Sequence, residues 1–127
     1  MNTRYILESQ DSHIKVTIFN DYVPTLENQM ELWSSIITAC RERKCSRVLT
    51  KALPNPTRKI DPIRTYHSAV RATQDLSLKI AFYYPGLSLD DTTQFVNTVA
   101  RNEGTSIEFF SDERAAIEWL LSEYNYS

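Results

Sequence analysis

The run Leu78–Tyr84 (LKIAFYY) constrains the fold of this chain more than any other stretch. Apart from Lys79 it is apolar or aromatic throughout, which is typical of a strand that is buried on both faces. Pro85 and Gly86 then end the strand pattern. A strand of this kind needs helices on both faces of its sheet, so the run predicts an α/β domain.

Strand and helix patterns alternate along the rest of the chain. The two-residue polar link Asp11–Ser12 joins two β-rich runs and predicts a hairpin. Each later strand follows a helix, which makes neighbouring strands parallel with right-handed crossovers. The predicted order is β-β-α-β-α-β-α-β-α, a mostly parallel sheet with an N-terminal antiparallel edge hairpin, in a single domain over residues 1–127. The remaining strands are predicted at Arg4–Gln10, His13–Asp21, Ser46–Ala52 and Thr105–Phe110, and the helices at Thr25–Arg43, Pro62–Asp75, after a Ser88 cap, and at Glu113–Ser122.

The first helix has the clearest apolar pattern. Leu26, Met30, Trp33, Ile37 and Cys40 recur at spacings of four, three, four and three, so we expect them to form its core-facing stripe. On the later helices the inward residues are predicted to include Ile63, Tyr66 and Val70, then Phe95 and Val96, then Ala116, Leu120 and Leu121. Asp61–Pro62 predicts a capped helix start with proline in the first turn.

Composition argues against several classes of protein. The net charge is −2, from 14 basic and 16 acidic residues, so there is no global attraction to nucleic acid. No apolar stretch approaches the ~20 residues of a membrane span, and no signal peptide is visible, which makes the cytoplasm the expected location. Cys40 and Cys45 are expected to be free thiols, because their spacing and the absence of flanking histidines do not suit a metal site. No cofactor is predicted.

Three segments carry a family resemblance. They are the opening hairpin (RYILESQ-DS-HIKVTIFND), the first helix ending in CRERKC before SRVLT, and the closing TSIEFFSDERAAIEWLLS. Together they resemble the STAS fold, the family of sulfate transporter and anti-sigma factor antagonist domains, and more narrowly the bacterial STAS-like proteins grouped with lipid-binding domains. The resemblance covers nearly the whole chain and implies a STAS-like fold with a non-enzymatic regulatory role.

The phosphorylation motif of that family is missing here. In its phospho-regulated members an Asp-Ser/Thr-x-Gly motif follows the central strand, whereas this chain reads TKALPNPT over Thr50–Thr57. There is no Asp-Ser pair and no glycine, and Thr57 is the nearest hydroxyl in a different setting. The family phosphosite is therefore not transferred to this chain.

Basic residues cluster around the predicted loop and the start of the second helix. They are Lys51, Arg58, Lys59 and Arg64, with Asp61 as the only acid among them. A helix N-terminus beside basic residues favours an anion, so this edge is a candidate site for a phosphate, a carboxylate or an acidic protein surface. The alternative is a solvated charged loop, which the absence of phosphate-binding glycines favours.

Tyr83 and Tyr84 end the central strand near the same edge and suggest a pocket. The equal alternative is that one or both rings cap the core with the hydroxyl in water. Two functions follow. The first is a regulatory module that contacts a protein partner through the loop 51–64 edge. The second is a carrier for a small apolar or lipid-like ligand behind the second helix. An enzyme ranks third, because His13 and His67 are accompanied by no nucleophile elbow and no metal cluster.

The last helix suggests a further contact surface. Trp119, Tyr124 and Tyr126 would form an aromatic patch if Trp119 faced outward, and such patches mark contacts with partners or between the subunits of a homodimer. The alternative places Trp119 beside the core, with the tail folded back on its own helix.

Overall fold

The computed structural model describes residues 4–23, 25–53, 61–73, 76–85 and 90–122. Within them lie five strands and four helices in the predicted order, which confirms the α/β class. The elements are β1 (Tyr5–Ser9), β2 (Ile14–Ile18), α1 (Leu26–Arg43), β3 (Arg47–Ala52), α2 (Pro62–Thr73), β4 (Lys79–Tyr83), α3 (Asp91–Asn102), β5 (Ile107–Phe110) and α4 (Glu113–Leu121).

The strands form one sheet in the spatial order β1-β2-β3-β4-β5. β1 pairs antiparallel with β2, and all the other neighbours are parallel. The hairpin therefore lies at one edge of the sheet, as the sequence predicts. Because each right-handed crossover joins adjacent strands, α1, α2 and α3 all cover the same face.

Two apolar cores follow from this arrangement. The larger lies under α1, α2 and α3, where alternate residues of the strands, such as Val16, Val48 and Phe109, are buried. The smaller core lies on the opposite face of the sheet, where Leu49 and Ala81 of the strands pack against α4. The α4 residues in this core are Ala116, Trp119 and Leu120. Trp119 thus belongs to a core and lies 5.6 Å from the ring of Phe110, which removes it from the aromatic patch considered above. Tyr124 and Tyr126 lie outside the described residues.

Polar side chains cap the helix N-termini. Thr25 accepts a hydrogen bond from the backbone N–H of Asn28, and Asp61 does the same for Arg64, so the predicted Asp61–Pro62 start is confirmed. Asp90 caps α3 and Asp112 caps α4. The predicted Ser88 cap falls outside the described residues.

The apolar stripe predicted for α1 is only partly correct. Trp33 and Cys40 are buried, whereas Leu26 is 77 % exposed and Met30 is also exposed. Tyr5 of β1 hydrogen bonds to Glu31 and Ser35 on one flank of α1, so the flank that carries Leu26 and Met30 faces α2. Among the described residues α1 and α2 make little direct contact, and that flank stays open.

Three other inward predictions are wrong for a related reason. Ile63, Phe95 and Leu121 are exposed, because each lies outside the arc of its helix that the buried residues occupy. The core positions are taken by their neighbours on the same helices, namely Tyr66 and Ala69, Val96 and Asn97, and Trp119 and Leu120.

Candidate functional site

A cavity of about 250 Å³ occupies the gap between α1 and α2. It lies on the larger-core face, over the carboxyl ends of β2, β3 and β4. This edge is where open α/β sheets commonly bind ligands. We call it the α1–α2 cavity. Its floor is formed by Ile18, Thr50, Ala52, Phe82 and Tyr84, and its walls by Tyr22, Gln29, Leu32, Trp33, Ile36, Asp61, Arg64, Thr65 and Ser68.

The aromatic floor of the cavity is set by the period of the strands. Phe82 and Tyr84 are two residues apart at the end of β4, so both side chains point to the same face. Their rings stack at 6.4 Å with an interplanar angle of 20°, and Phe82 also stacks on Phe109 at 5.0 Å. These stacked rings form the aromatic part of the cavity floor.

Thr50 lies in this largely apolar floor with a buried hydroxyl. The side chain is 3 % exposed, and its Oγ1 atom has no hydrogen-bond partner among the described residues. A buried polar atom without a partner costs about 1–3 kcal/mol. A ligand atom that hydrogen bonds to the Thr50 hydroxyl would therefore relieve an existing energetic cost.

Arg64 and Asp61 lie on the α2 wall of the cavity. The Asp61 carboxylate accepts a hydrogen bond from the Arg64 backbone N–H at 3.2 Å and caps the helix. No carboxylate in the described part of the chain lies within ion-pairing distance of the Arg64 guanidinium. Arg64 is exposed and supplies a positive charge at the rim of a mostly apolar space that Asp61 also lines.

The structure separates the basic residues that the sequence groups together. Lys51 lies on the opposite face of the sheet, where its Nζ is 3.8 Å from Glu113 and 5.8 Å from the centre of the Tyr83 ring. Arg64 and Tyr84 are brought together around the α1–α2 cavity. Arg58 and Lys59 fall outside the described residues.

A second and larger cavity, of about 630 Å³, lies at the amino edge of β3, β4 and β5. Its basic residues are Arg47 and Lys79. The Lys79 ammonium already donates hydrogen bonds to Trp119 O at 2.6 Å and to Ser122 O at 3.0 Å. Burial, together with the charge of Arg47, lowers the pKa of Lys79. Lys79 therefore holds the end of α4, and its ammonium is already engaged by the protein.

The residues considered for catalysis are dispersed. His13 is buried beside Ser12 on the edge hairpin, whereas His67 is exposed on α2 next to the ring of Tyr66. Both cysteines are free, and burial raises the pKa of the Cys40 thiol to about 11. Across the described ranges, no three His, Cys, Asp or Glu side chains gather closely enough to hold a metal ion.

Sequence reasoning identified Arg64 and Tyr84 but missed Thr50, Trp33 and Ser68. Thr50 carried a usable signal, because it alternates with the buried Val48 and so places a polar atom on a core-facing side. Trp33 was assigned to the core stripe, and only the gap between two helices turns it into a cavity wall. That gap depends on how helices pack, which no local pattern encodes.

No family model matches the chain, and no match is found among curated proteins or solved structures. None of the helices in the described ranges has the length and apolarity needed to cross a membrane.

Proposed function

We propose that this protein binds a compact amphipathic molecule, an apolar body with one carboxylate, in the α1–α2 cavity. The observation that carries the proposal is the buried Thr50 hydroxyl, which has no partner among the described residues and lies in the floor of an apolar cavity. Ligand sites are typically apolar spaces with a few convergent polar groups, and this cavity fits that description.

The residues that line the cavity suit a ligand with two chemically different parts. Leu32, Trp33 and Phe82 offer apolar and aromatic surface to the body of the ligand. Thr50 offers a hydroxyl at the base, and Arg64 offers a guanidinium that can bind a carboxylate with two parallel hydrogen bonds. The preferred ligand therefore has a ring or a short alkyl group at one end and a carboxylate at the other.

The volume of the cavity limits the size of the ligand. Sites for drug-sized molecules measure about 300–1,000 Å³, so a cavity of about 250 Å³ suits a smaller molecule. A compact aryl or short-chain acid fits this volume better than a long acyl chain. The volume thus restricts the range of small apolar or lipid-like ligands expected from the sequence to compact molecules.

The alternative function, a regulatory contact through the loop 51–64 edge, has less direct support. It relied on Arg58 and Lys59, which lie outside the described residues, and on Lys51, which faces the α4 side and approaches Glu113. The edge hairpin and the three helices on one face support our further proposal that the fold is STAS-like. A STAS-like fold would not by itself indicate which ligand binds in the α1–α2 cavity.

Titration of ¹⁵N-labelled protein with phenylacetate, indole-3-acetate and hexanoate tests the proposal, with phenylacetamide as an uncharged counterpart. We expect the carboxylates to shift the amide signals of the cavity residues and phenylacetamide to bind at least several-fold more weakly. Arg64→Gln should weaken carboxylate binding by about tenfold, which corresponds to about 1.4 kcal/mol. Arg71→Gln is the matched control, because Arg71 is exposed on the same helix and does not line the cavity.

Ser68→Leu fills the cavity from the α2 wall without removing a core side chain. We expect this variant to remain folded by circular dichroism and to lose binding of all three acids. The proposal is wrong if none of the acids binds the wild type and native mass spectrometry of freshly purified protein shows only the bare chain. Undiminished binding to a folded Ser68→Leu variant would also overturn it.

A further inference from the structure

The two edges of the sheet differ in how their backbone groups are satisfied. At the β5 edge the Asn97 side chain from α3 closes the strand. Its amide nitrogen donates to Phe109 O at 3.2 Å, and its Oδ1 accepts from Phe109 N–H at 2.9 Å. Both outward groups of Phe109 are therefore occupied, which prevents another strand from pairing there.

The β1 edge has no such closure among the described residues. Phe19 N–H donates to Arg4 O, and Gln10 N–H donates to His13 O, both at 2.9 Å. Because antiparallel pairs alternate, every second residue of β1 directs its backbone groups toward β2 and the others direct theirs outward. The outward set is Tyr5, Leu7 and Ser9, and no described residue hydrogen bonds to their backbone groups.

The exposed side chains of β1 are complementary to those of a second β1 strand that runs antiparallel to it. Arg4, Ile6 and Glu8 lie on the face of the hairpin opposite the larger core, in the order positive, apolar, negative. Ile6 is 44 % exposed, and α4 covers β3, β4 and β5 but not this part of the sheet. A second β1 strand running antiparallel about Ile6 would place each Arg4 opposite a Glu8.

We propose that the β1 edge pairs with the β1 edge of a second copy of this chain, about a two-fold axis at Ile6, to form a continuous ten-stranded sheet. Tyr5 and Leu7 of opposing copies would form the hydrogen-bonded pairs, and Ile6 would meet Ile6 across a non-hydrogen-bonded position. Arg4 lies 3.6 Å from the exposed Asp21 in one chain and would approach Glu8 of the other copy as well. The α1–α2 cavity is not involved.

Disulfide trapping tests both the pairing and its register. Non-hydrogen-bonded residues in an antiparallel pair have Cα atoms about 4.5 Å apart, within the range that a disulfide spans. In a Cys45→Ser background, Ile6→Cys should yield a covalent dimer under mild oxidation. Glu8→Cys should stay mostly monomeric, because its opposite residue is Arg4. A trapped dimer from Leu7→Cys instead would overturn the proposed register.

Sedimentation velocity tests the association without a crosslink. A five-residue edge buries less surface than a standard interface, so we expect a weak dimer that grows between about 10 µM and about 1 mM. Ile6→Lys places two like charges at the axis and should abolish the dimer, whereas Ile6→Val should retain it. Both variants change an exposed side chain and should keep the wild-type unfolding midpoint.

A charge exchange provides the last control. Glu8→Arg should weaken the dimer by at least fivefold, because the introduced positive charge would lie opposite Arg4 of the other copy. The double variant Arg4→Glu/Glu8→Arg should restore the dimer. A wild type that remains monomeric at about 1 mM, together with no crosslink from Ile6→Cys, would overturn the proposal. Dimerisation that survives Ile6→Lys would assign the interface to another surface and would overturn it equally.

Discussion

At the scale of single residues, Thr50 links stability to the proposed binding of a ligand. Its hydroxyl is buried without a partner among the described residues, so the isolated protein carries a cost that a ligand would remove. Val and Thr have nearly the same shape and are both β-branched, so Thr50→Val changes little except the hydroxyl. We expect this variant to raise the free energy of unfolding by about 1 kcal/mol and to weaken binding of the carboxylate probes.

Urea unfolding followed by tryptophan fluorescence measures the first effect, and the NMR titration measures the second. Thr73→Val is the matched control, since the buried Thr73 hydroxyl donates a hydrogen bond to Ala69 O at 2.7 Å. The control should lose stability where Thr50→Val gains it. Equal losses in both variants would show that the Thr50 hydroxyl has a partner in solution.

His13 gives the protein a pH dependence at the edge hairpin. Burial lowers the pKa of His13 below its usual value of 6.5, and Lys15 adds to this effect while Glu113 opposes it. Below pH 6.5 the unfolded chain binds the proton more readily than the folded chain does. The contribution of His13 to stability is therefore fully present above pH 6.5 and is lost as the pH falls below it.

We expect wild-type protein to lose more unfolding free energy than His13→Gln between about pH 7.5 and pH 5. Urea titrations of both proteins across this range measure the difference, which isolates His13 from carboxylates that both proteins share. Parallel pH profiles would contradict the assignment. A steeper profile for His13→Gln would reverse its sign.

At the scale of elements, α4 is held to the sheet by a lysine side chain of β4. Lys79 of β4 donates to Trp119 O and Ser122 O and lies 4.7 Å from the centre of the Trp119 ring. These carbonyls close the C-terminal turn of α4, where a positive charge also suits the helix dipole. A short helix of nine residues depends on such tertiary contacts for its stability.

Lys79→Met should therefore destabilise the protein by about 2–3 kcal/mol, because it removes charged hydrogen bonds to buried carbonyls. Lys51→Met is the control, since the Lys51–Glu113 pair is longer, at 3.8 Å, and half-exposed, and should cost less than about 1 kcal/mol. Chemical unfolding of both variants measures the contrast. Similar losses from the two substitutions would mean that Lys79 does not hold the helix.

The elements also show how far the sequence predicts this fold. Strand order along the chain, the helix starts at Thr25 and Asp61, and the edge hairpin all follow from local patterns. The orientation of the helices does not. Leu26 and Phe95 match a helical period yet lie outside the core, because burial depends on which neighbour packs against that flank. The sequence suggested a pocket near Tyr84 and the second helix, but the α1 wall of the cavity was not predicted, since it depends on where α1 and α2 stand apart.

At the scale of the whole molecule, the two faces of the sheet are covered differently. The α1–α2 cavity lies on one face, and α4 with the Lys51–Glu113 pair lies on the other. A ligand in the cavity would touch two helices that otherwise make little contact with each other. Ligand binding would therefore stabilise α1, α2 and the ends of β3 and β4 against local opening, and would stabilise α4 only weakly.

Hydrogen exchange measured by mass spectrometry tests this division. At about one hundred times the dissociation constant of the tightest of the three acids, binding adds about 2.7 kcal/mol to global stability. Amides that exchange only by global unfolding gain this protection everywhere. Faster amides report local opening, and among these we expect slower exchange in α1 and α2 and unchanged exchange in α4. Local protection that appears in α4 instead would place the ligand on the opposite face of the sheet.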